Sequence, residues 1–363
     1  MNFRFIIAVV TAVLPFSASL AQQVDTKPGA VPTIQAAIAP SVVTEQVNFD
    51  SDDPAIWIHP TDPSASLIIG TDKDTNGALF VFDLNGKIIH EKTVMGLRRP
   101  NNVDVAYGFS LWGTSVDIAV TTERYENRLR VFIVPDMEAI DGGGIEVFKA
   151  DSARAPMGIA LYKRPSDGTH FAIVSRKSGS TEGYLWQYRL KDDGTGKIIG
   201  DKVREFGRWS GIKEIEAIAV DDRLGYVYYS DENAGIRKYH ADPDHPHAEK
   251  ELAFFGTEGF IDDREGISIY DVSDSTGYIL VSDQQANRFH IFPREGSPGN
   301  PHDHPLIKTV LLSTNESDGS DVTSLTLDPR FSGGLFVAMS DNRTYHFYPW
   351  IVIAGEELAI RSE

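Results

Sequence analysis

One unit is written six times along this chain. LIIGTDKDTNGALFVFD (67–83), VDIAVTTERYENRLRVFIV (116–134), HFAIVSRKSGSTEGYLWQY (170–188), GYVYYSDENAGIRKYH (225–240), GYILVSDQQANRFHIF (277–292) and GLFVAMSDNRTYHFY (334–348) share one plan. Each is an apolar run, a short polar elbow and a second run rich in aromatics, which reads as two strands joined by a turn. Counted from Ile68, Ile118, Ala172, Val227, Ile279 and Phe336, the spacings are 50, 54, 55, 52 and 57 residues. A shorter run precedes each unit: PAIWI (54–58), VDVAY (103–107), MGIAL (157–161), EAIAV (216–220), EGISI (265–269) and TSLTL (323–327). Its small or polar second residue fits a strand crowded near an axis. Six repeats of this length, each with about four strands, predict an all-β fold, a six-bladed β-propeller. Two unrelated β-sandwiches would be as dense in strands but would not repeat one register six times. Only a short tail follows HFYPW (346–350), so the last blade lacks an outer strand of its own. The N-terminal stretch SVVTEQVNF (41–49) alternates well and is predicted to join that blade, which closes the ring and removes an open edge.

With the register set, the elbows can be compared residue by residue. The third residue of TDK, TER, SRK, SDE, SDQ and MSD is Lys73, Arg124, Lys177, Glu232, Gln284 and Asp341. Elbows of a propeller share one face near the central channel. One side of the channel mouth is therefore expected to be basic and the other acidic. The starts of the inner strands add the amide Asn102 and the acids Asp52, Asp53, Asp104, Glu214, Glu216, Asp262, Asp263, Glu265, Asp318 and Asp321, which have no evident basic partner. Oxygen ligands of this kind suit calcium. Converging Lys and Arg suit a phosphate. For any one residue an exposed loop charge is the plainer reading; segregation by blade is what favours a site.

Charge and composition exclude several alternatives. Lys+Arg 34 against Asp+Glu 52 gives a net charge of −18, which argues against a nucleic-acid partner. The absence of cysteine removes thiol catalysis, thiolate zinc sites and disulfides. The start, MNFRFIIAVVTAVLPFSASLAQQ, reads as a secretory signal over 1–21, too short to span a membrane and interrupted by Pro15. Residues 22–40 read as a flexible tether and 41–355 as one domain, a monomer that is secreted or periplasmic with no membrane insertion after signal removal. The histidine-bearing stretches 240–250 and 300–305 read as surface loops. No G-x-S-x-G elbow, P-loop or dinucleotide motif occurs.

DDPAIWIHP (52–60), NNVD (101–104), ERYEN (123–127), RKSG (176–179), EIEAIAVDD (214–222), DREG (263–266) and SDGSD (317–321), taken in this order, resemble the β-propeller phytases over about residues 45–350. The resemblance implies a calcium-dependent phosphoric monoester hydrolase of the 3-phytase type, with several calcium ions and calcium-phytate as small-molecule substrate. Asp53, Asn102, Asp104, Glu216, Glu232, Asp263, Glu265 and Gln284 match family positions that ligate calcium or its waters. Lys73, Arg124 and Lys177 match the basic residues that grip phosphates at two neighbouring sites. The implied chemistry is attack by a calcium-bound water without a covalent intermediate, since divalent ions acidify bound water and offset phosphoryl charge. The candidate catalytic set is thus Lys73, Arg124, Lys177 and Glu216. Asp52, Asp321 and Asp341 join the family-matched positions as candidate metal ligands. Replacing the cations is expected to weaken substrate binding, while the melting temperature barely changes or rises because like charges are thinned. Two positions depart from the family: Met157 stands where a phosphate-contacting tyrosine is usual, and Ser178 where an acid is usual. Alternatives are a propeller lactonase-type metal hydrolase and a catalytically weakened phosphate-binding propeller.

Overall fold

Strands such as LIIGTD (67–72) and GALFVF (77–82) are buried at every position, so both faces of their sheet have to be covered. A ring of sheets, each packed between two neighbours, meets that demand. The computed structural model describes residues 36–362, and they form six antiparallel sheets. Blade one comprises Ser51–Trp57, Leu67–Asp72, Gly77–Phe82 and Val94–Leu97. Blade two comprises Pro100–Leu111, Thr114–Glu123 and Arg128–Val134, with Glu138–Ala139 and Ile145–Glu146 both on its outer edge. Blade three runs Pro156–Lys163, His170–Arg176, Glu182–Asp192 and Ile198–Arg208. Blade four runs Ile218–Asp221, Tyr226–Asp231, Gly235–His240 and Ala253–Phe255, and blade five Arg264–Asp271, Gly277–Asp283, Arg288–Pro293 and Lys308–Leu311. Blade six holds Ser320–Thr323, Leu335–Ser340, Thr344–Pro349 and, from the other end of the chain, Val42–Val43. The fold is the six-bladed propeller read from the repeats.

The apolar core divides the same way. Six clusters fill the six spaces between blades: Leu79 with Phe132 between one and two, Val120 with Trp186 between two and three, Ile173 with Tyr229 between three and four. Tyr228 with Ile279, Phe289 with Phe336, and Phe80 with Tyr345 complete the circle. Hydroxyls on the second strands reach across these spaces. Thr122 Oγ1 donates to Met157 O at 2.6 Å, Ser175 Oγ to Ile215 O at 2.6 Å and Ser282 Oγ to Ser317 O at 2.8 Å. The small residues near the axis are there because backbones meet. A Cβ on Gly158 would lie 1.6 Å from Glu216 O, and one on Gly266 2.8 Å from Ser320 N.

Ring closure follows the prediction. Val42 pairs with Phe347 and Val43 with His346, and Thr44 N and Val47 N continue the contact to Tyr345 O and Arg343 O. Blade six differs in one detail: its inner strand is Ser320–Thr323 and not 323–327. Ser324 turns out of the sheet to bond Asp271, and Leu325 is exposed. Blade four's inner strand likewise begins at Ile218, two residues later than expected. The signal segment and the tether through residue 35 lie outside the described residues. In the rest of the tether, Ile38 is tied to blade five, donating to Leu311 O at 2.9 Å and accepting from Ser313 N at 3.1 Å. Among the described residues no helix is long and apolar enough to cross a membrane.

Candidate functional site

The six elbows are built by one repeated backbone bond. Lys73 N donates to Asp50 O, Arg124 N to Arg99 O, Lys177 N to Ala155 O, Glu232 N to Glu214 O, Gln284 N to Asp263 O and Asp341 N to Asn315 O, at 2.7–3.3 Å. Each bond ties the elbow to the start of its own blade's inner strand, so the six residues occupy equivalent places. The residue just before them does the tying in four blades. Asp72, Glu123, Asp231 and Asp283 are buried, and their carboxylates accept Asp50 N, Arg98 N, Ser210 N and Ile261 N at 2.7–3.0 Å.

Two groups of acids meet at the mouth. In the first, Lys73 Nζ lies 2.5 Å from Asp52 Oδ1, 3.5 Å from Asp318 Oδ2 and 4.0 Å from Glu216 Oε1. Gln284 Nε2 donates to Asp318, and Asn101 Nδ2 to Glu216. The second consists of Glu232, Asp263 and Glu265, whose oxygens come within 4.8 Å of one another. Glu232 also belongs to a triad with Glu214 and Glu216 that joins the two groups. Burial, then the neighbouring Glu216, pushes Glu232 up to about 9. Burial, Glu232 and Glu216 together raise Glu265 well above the usual carboxylate range. Glu216 goes the other way: burial alone would raise it, but Lys73 and Arg124 hold it below its ordinary value.

The buried oxygens Asp52 Oδ2, Glu232 Oε1 and Glu265 Oε2 have no hydrogen-bond donor. Leaving such atoms unpartnered is costly. The donor set is all oxygen, so the residues present fit a hard divalent cation.

A different arrangement holds Asp53, Asn102, Asp104 and Asp321. They line a cavity of about 140 Å³ on the axis, walled by the inner strands of all six blades. No lysine or arginine faces it. Asp321 Oδ2 accepts Ile56 N at 2.8 Å, Asp53 Oδ2 accepts Val103 N at 3.1 Å, and Asp104 Oδ2 accepts Leu161 N at 2.7 Å. Each carboxylate therefore fastens its blade to the next. Burial raises Asp104 to about 7 and Asp321 to about 6. Asp341 joins none of these groups; it is exposed on the last elbow.

The cations are less segregated than expected. Lys73 is committed to three acids, and Lys177, 47% exposed, pairs with Glu214. Arg124 alone of the three has no carboxylate partner among the described residues. Its Nη2 touches Met157 Sδ and its buried Nε is unpartnered. Met157 is fully buried beneath it, while Ser178 is exposed. The acids are also not without a base. Lys213 Nζ lies 2.5 Å from Asp263 and 3.1 Å from Glu232. Lys213 was missed because one lysine in an acid-rich stretch reads as a solvated charge. Asp318 and Glu214 carried the signal of position but not of partnership.

A family model described as Phytase matches residues 5–346. A 3-phytase of Bacillus subtilis (strain 168) is 31% identical over 297 residues, covering 79% of this chain and 74% of its own. Among solved structures, Kuenenia stuttgartiensis Hydrazine Synthase matches with TM-score 0.47 and 14% identity over 80% of this chain and 81% of that one. A Dos1 propeller matches with TM-score 0.42 and 12% identity over 82% and 67%.

Proposed function

The chain belongs to the phytase family, and from that membership we propose a calcium-dependent phosphomonoesterase of the 3-phytase type that hydrolyses phytate to lower inositol phosphates and inorganic phosphate. One observation carries the reading. Arg124, a guanidinium with no carboxylate partner among the described residues, stands beside carboxylates whose buried oxygens lack donors. An anion completes the first and hard cations complete the second. A phosphate ester accompanied by calcium supplies both. A neutral lactone would leave Arg124 without a counter-charge.

Within this reading Arg124 and Lys177 grip phosphoryl oxygens from one side of the mouth. Lys73 holds Asp52 and Asp318 in place and presents its own charge at the same edge. Glu216, kept ionised by Lys73 and Arg124, is ready to ligate at neutral pH. Asp52, Asp318, Gln284, Glu232, Asp263 and Glu265 would hold calcium at the mouth, and Asp53, Asn102, Asp104 and Asp321 an ion in the channel. Bound calcium supplies the charge that offsets phosphoryl oxygens and acidifies the attacking water. With a thioether in place of a hydroxyl at Met157, efficiency is lower than a tyrosine would give. The leader over 1–21 directs the chain to the periplasm or outside the cell, where it acts as a monomer.

The test is phosphate release from phytate by the purified protein with calcium, with chelator, and with calcium restored. Release that appears, disappears and returns is the expected result. Release indifferent to chelator overturns the calcium dependence. No release in any condition overturns the hydrolase reading in favour of a binding propeller.

A further inference from the structure

Each acidic group at the mouth contains a lysine, and the two lysines are placed differently. Lys73 extends from an elbow into the first group and is 13% exposed. Lys213 reaches the second from the stretch between blade three's last strand and blade four's first, and is 38% exposed. The backbone there is braced: Trp209 Nε1 donates to Lys213 O at 2.7 Å, and Ser210 Oγ to Asp231 Oδ1 at 2.6 Å. The Lys213 side chain thus hangs from a fixed backbone, with solvent on one side and carboxylates on the other. Its ammonium lies 2.5 Å from Asp263 Oδ2 and 3.1 Å from Glu232 Oε2, two of the three acids in the group that Glu265 completes.

That ammonium serves the group incompletely. Asp263 has other donors, since Asn233 Nδ2 donates to its Oδ1 and Gln285 Nε2 to its Oδ2, both at 2.7 Å. Glu232 Oε1 and Glu265 Oε2 are buried and still have no donor. One charge with three N–H groups leaves these oxygens unanswered, whereas a hard divalent ion binds many oxygens at once. A divalent ion taking Asp263 and Glu232 would share two oxygens with the ammonium, and like charges so close repel strongly.

We propose that Lys213 is a tethered competitor for the cation of this group: its ammonium holds the place and must swing toward solvent before calcium is taken up. The residue thereby sets the calcium concentration at which the mouth loads. The inference rests on the reading of the mouth as a calcium site.

The test is calorimetric titration of calcium into the chelator-stripped protein, with thermal melting in chelator and in saturating calcium. Lys213→Met removes the charge and keeps the length of the side chain; Lys213→Arg keeps the charge. Lys191→Met makes the same change of charge at an exposed pair with Asp201, on blade three. With one charge-assisted contact no longer to be broken, Lys213→Met should bind calcium about tenfold to a hundredfold more tightly, and only at the sites that Glu232→Gln weakens. Lys213→Arg and Lys191→Met should keep the wild-type affinity. In chelator Lys213→Met should melt below the wild type, because buried carboxylates lose a partner, and saturating calcium should close the gap. Unchanged calcium affinity in Lys213→Met overturns the proposal, as does an equal gain in Lys191→Met or a melting deficit that calcium leaves in place. If neither the wild type nor Lys213→Met binds calcium, the calcium reading falls and the proposal with it. Binding by Lys213→Met alone would sink that reading for the wild-type chain and leave Lys213 in its assigned role.

Discussion

Loading the acidic mouth with calcium should expel protons, and the structure sets how many. In the metal-free protein Glu232 is buried beside Glu216 and titrates at about 9. At pH 7.5 that carboxyl is protonated in nearly every molecule, and ionising it costs about 2 kcal/mol, from a gap of about 1.5 pH units at 1.36 kcal/mol each. Glu265, fully buried between Glu232 and Glu216, is raised as well. Lys213 relieves part of this crowding but not enough to reverse it. A cation that takes both carboxylates as ligands must displace their protons, so about one to two should leave per ion bound at this group. Apparent affinity should then rise by roughly tenfold per pH unit for each proton released. The assay is calorimetric titration of calcium into chelator-stripped protein at pH 7.5, repeated in buffers of different ionisation enthalpy. The slope of observed heat against buffer heat counts the protons. The share due to Glu232 should fall toward zero by about pH 10, and Glu232→Gln should lower the count by about one at pH 7.5. A zero slope at pH 7.5 would refute the reasoning, since it would mean the ligands are already ionised without the metal.

Other expectations concern stability and the basic residues. With chelator present, the contribution of Glu232 is full below about pH 4.5 and is lost as pH rises through about 9, so the melting temperature should drop across that window and calcium should flatten the drop. A chelated protein whose melting is flat with pH would contradict this. Arg124→Ala, Lys177→Ala and Lys73→Ala should each lower kcat/KM on phytate by about tenfold to a hundredfold. Only Lys73→Ala should also melt early, by about 3–5 kcal/mol, because it strands the buried Asp52 carboxylate; this revises the expectation that all the cations could be removed without cost to the fold. Equal melting of Lys73→Ala and Lys177→Ala would show that the Asp52 pair is not needed. Met157→Tyr should raise kcat/KM by roughly threefold to tenfold and Met157→Phe should not, while both lower the melting temperature because the position is fully buried. Identical kinetics from the two would mean the hydroxyl never reaches phosphate.

The ring and its register were legible because a blade repeats its own physics. Every blade needs strands apolar on both faces and an elbow of fixed length, so Ile68 and Phe336 can be aligned without any structure. The elbow position was legible for the same reason, and one backbone bond recurs under Lys73, Arg124, Lys177, Glu232, Gln284 and Asp341. What that position faces was not. Asp341 occupies it and joins no acidic group, whereas Asp318, two residues before the inner strand of blade six, does. Asp72 and Asp283 look like site acids in sequence, yet they hold backbone N–H groups beneath the elbow. Lys213 and Lys73 show the remaining gap. A lysine's charge is visible in a sequence, but which carboxylates it satisfies depends on blades many residues away, such as Lys73 on blade one and Glu216 beside blade four.

The strand exchange that shuts the ring imposes an order in time. Val42 and Phe347 come from opposite ends of the chain, and the five sheets between them must be in place for the ring to close, each blade being fastened to the next by an inner-strand carboxylate or a second-strand hydroxyl. The first segment of the propeller to be made is thus among the last to find its partner. Closing so long a loop is slow, and the waiting edge is exposed meanwhile. Lys73 stands on the first blade, Glu216 ahead of the fourth and Asp318 ahead of the sixth, so no partial ring can contain the mouth. Regain of activity after denaturation should therefore lag regain of β-structure, with the interval between them measuring the shutting of the ring.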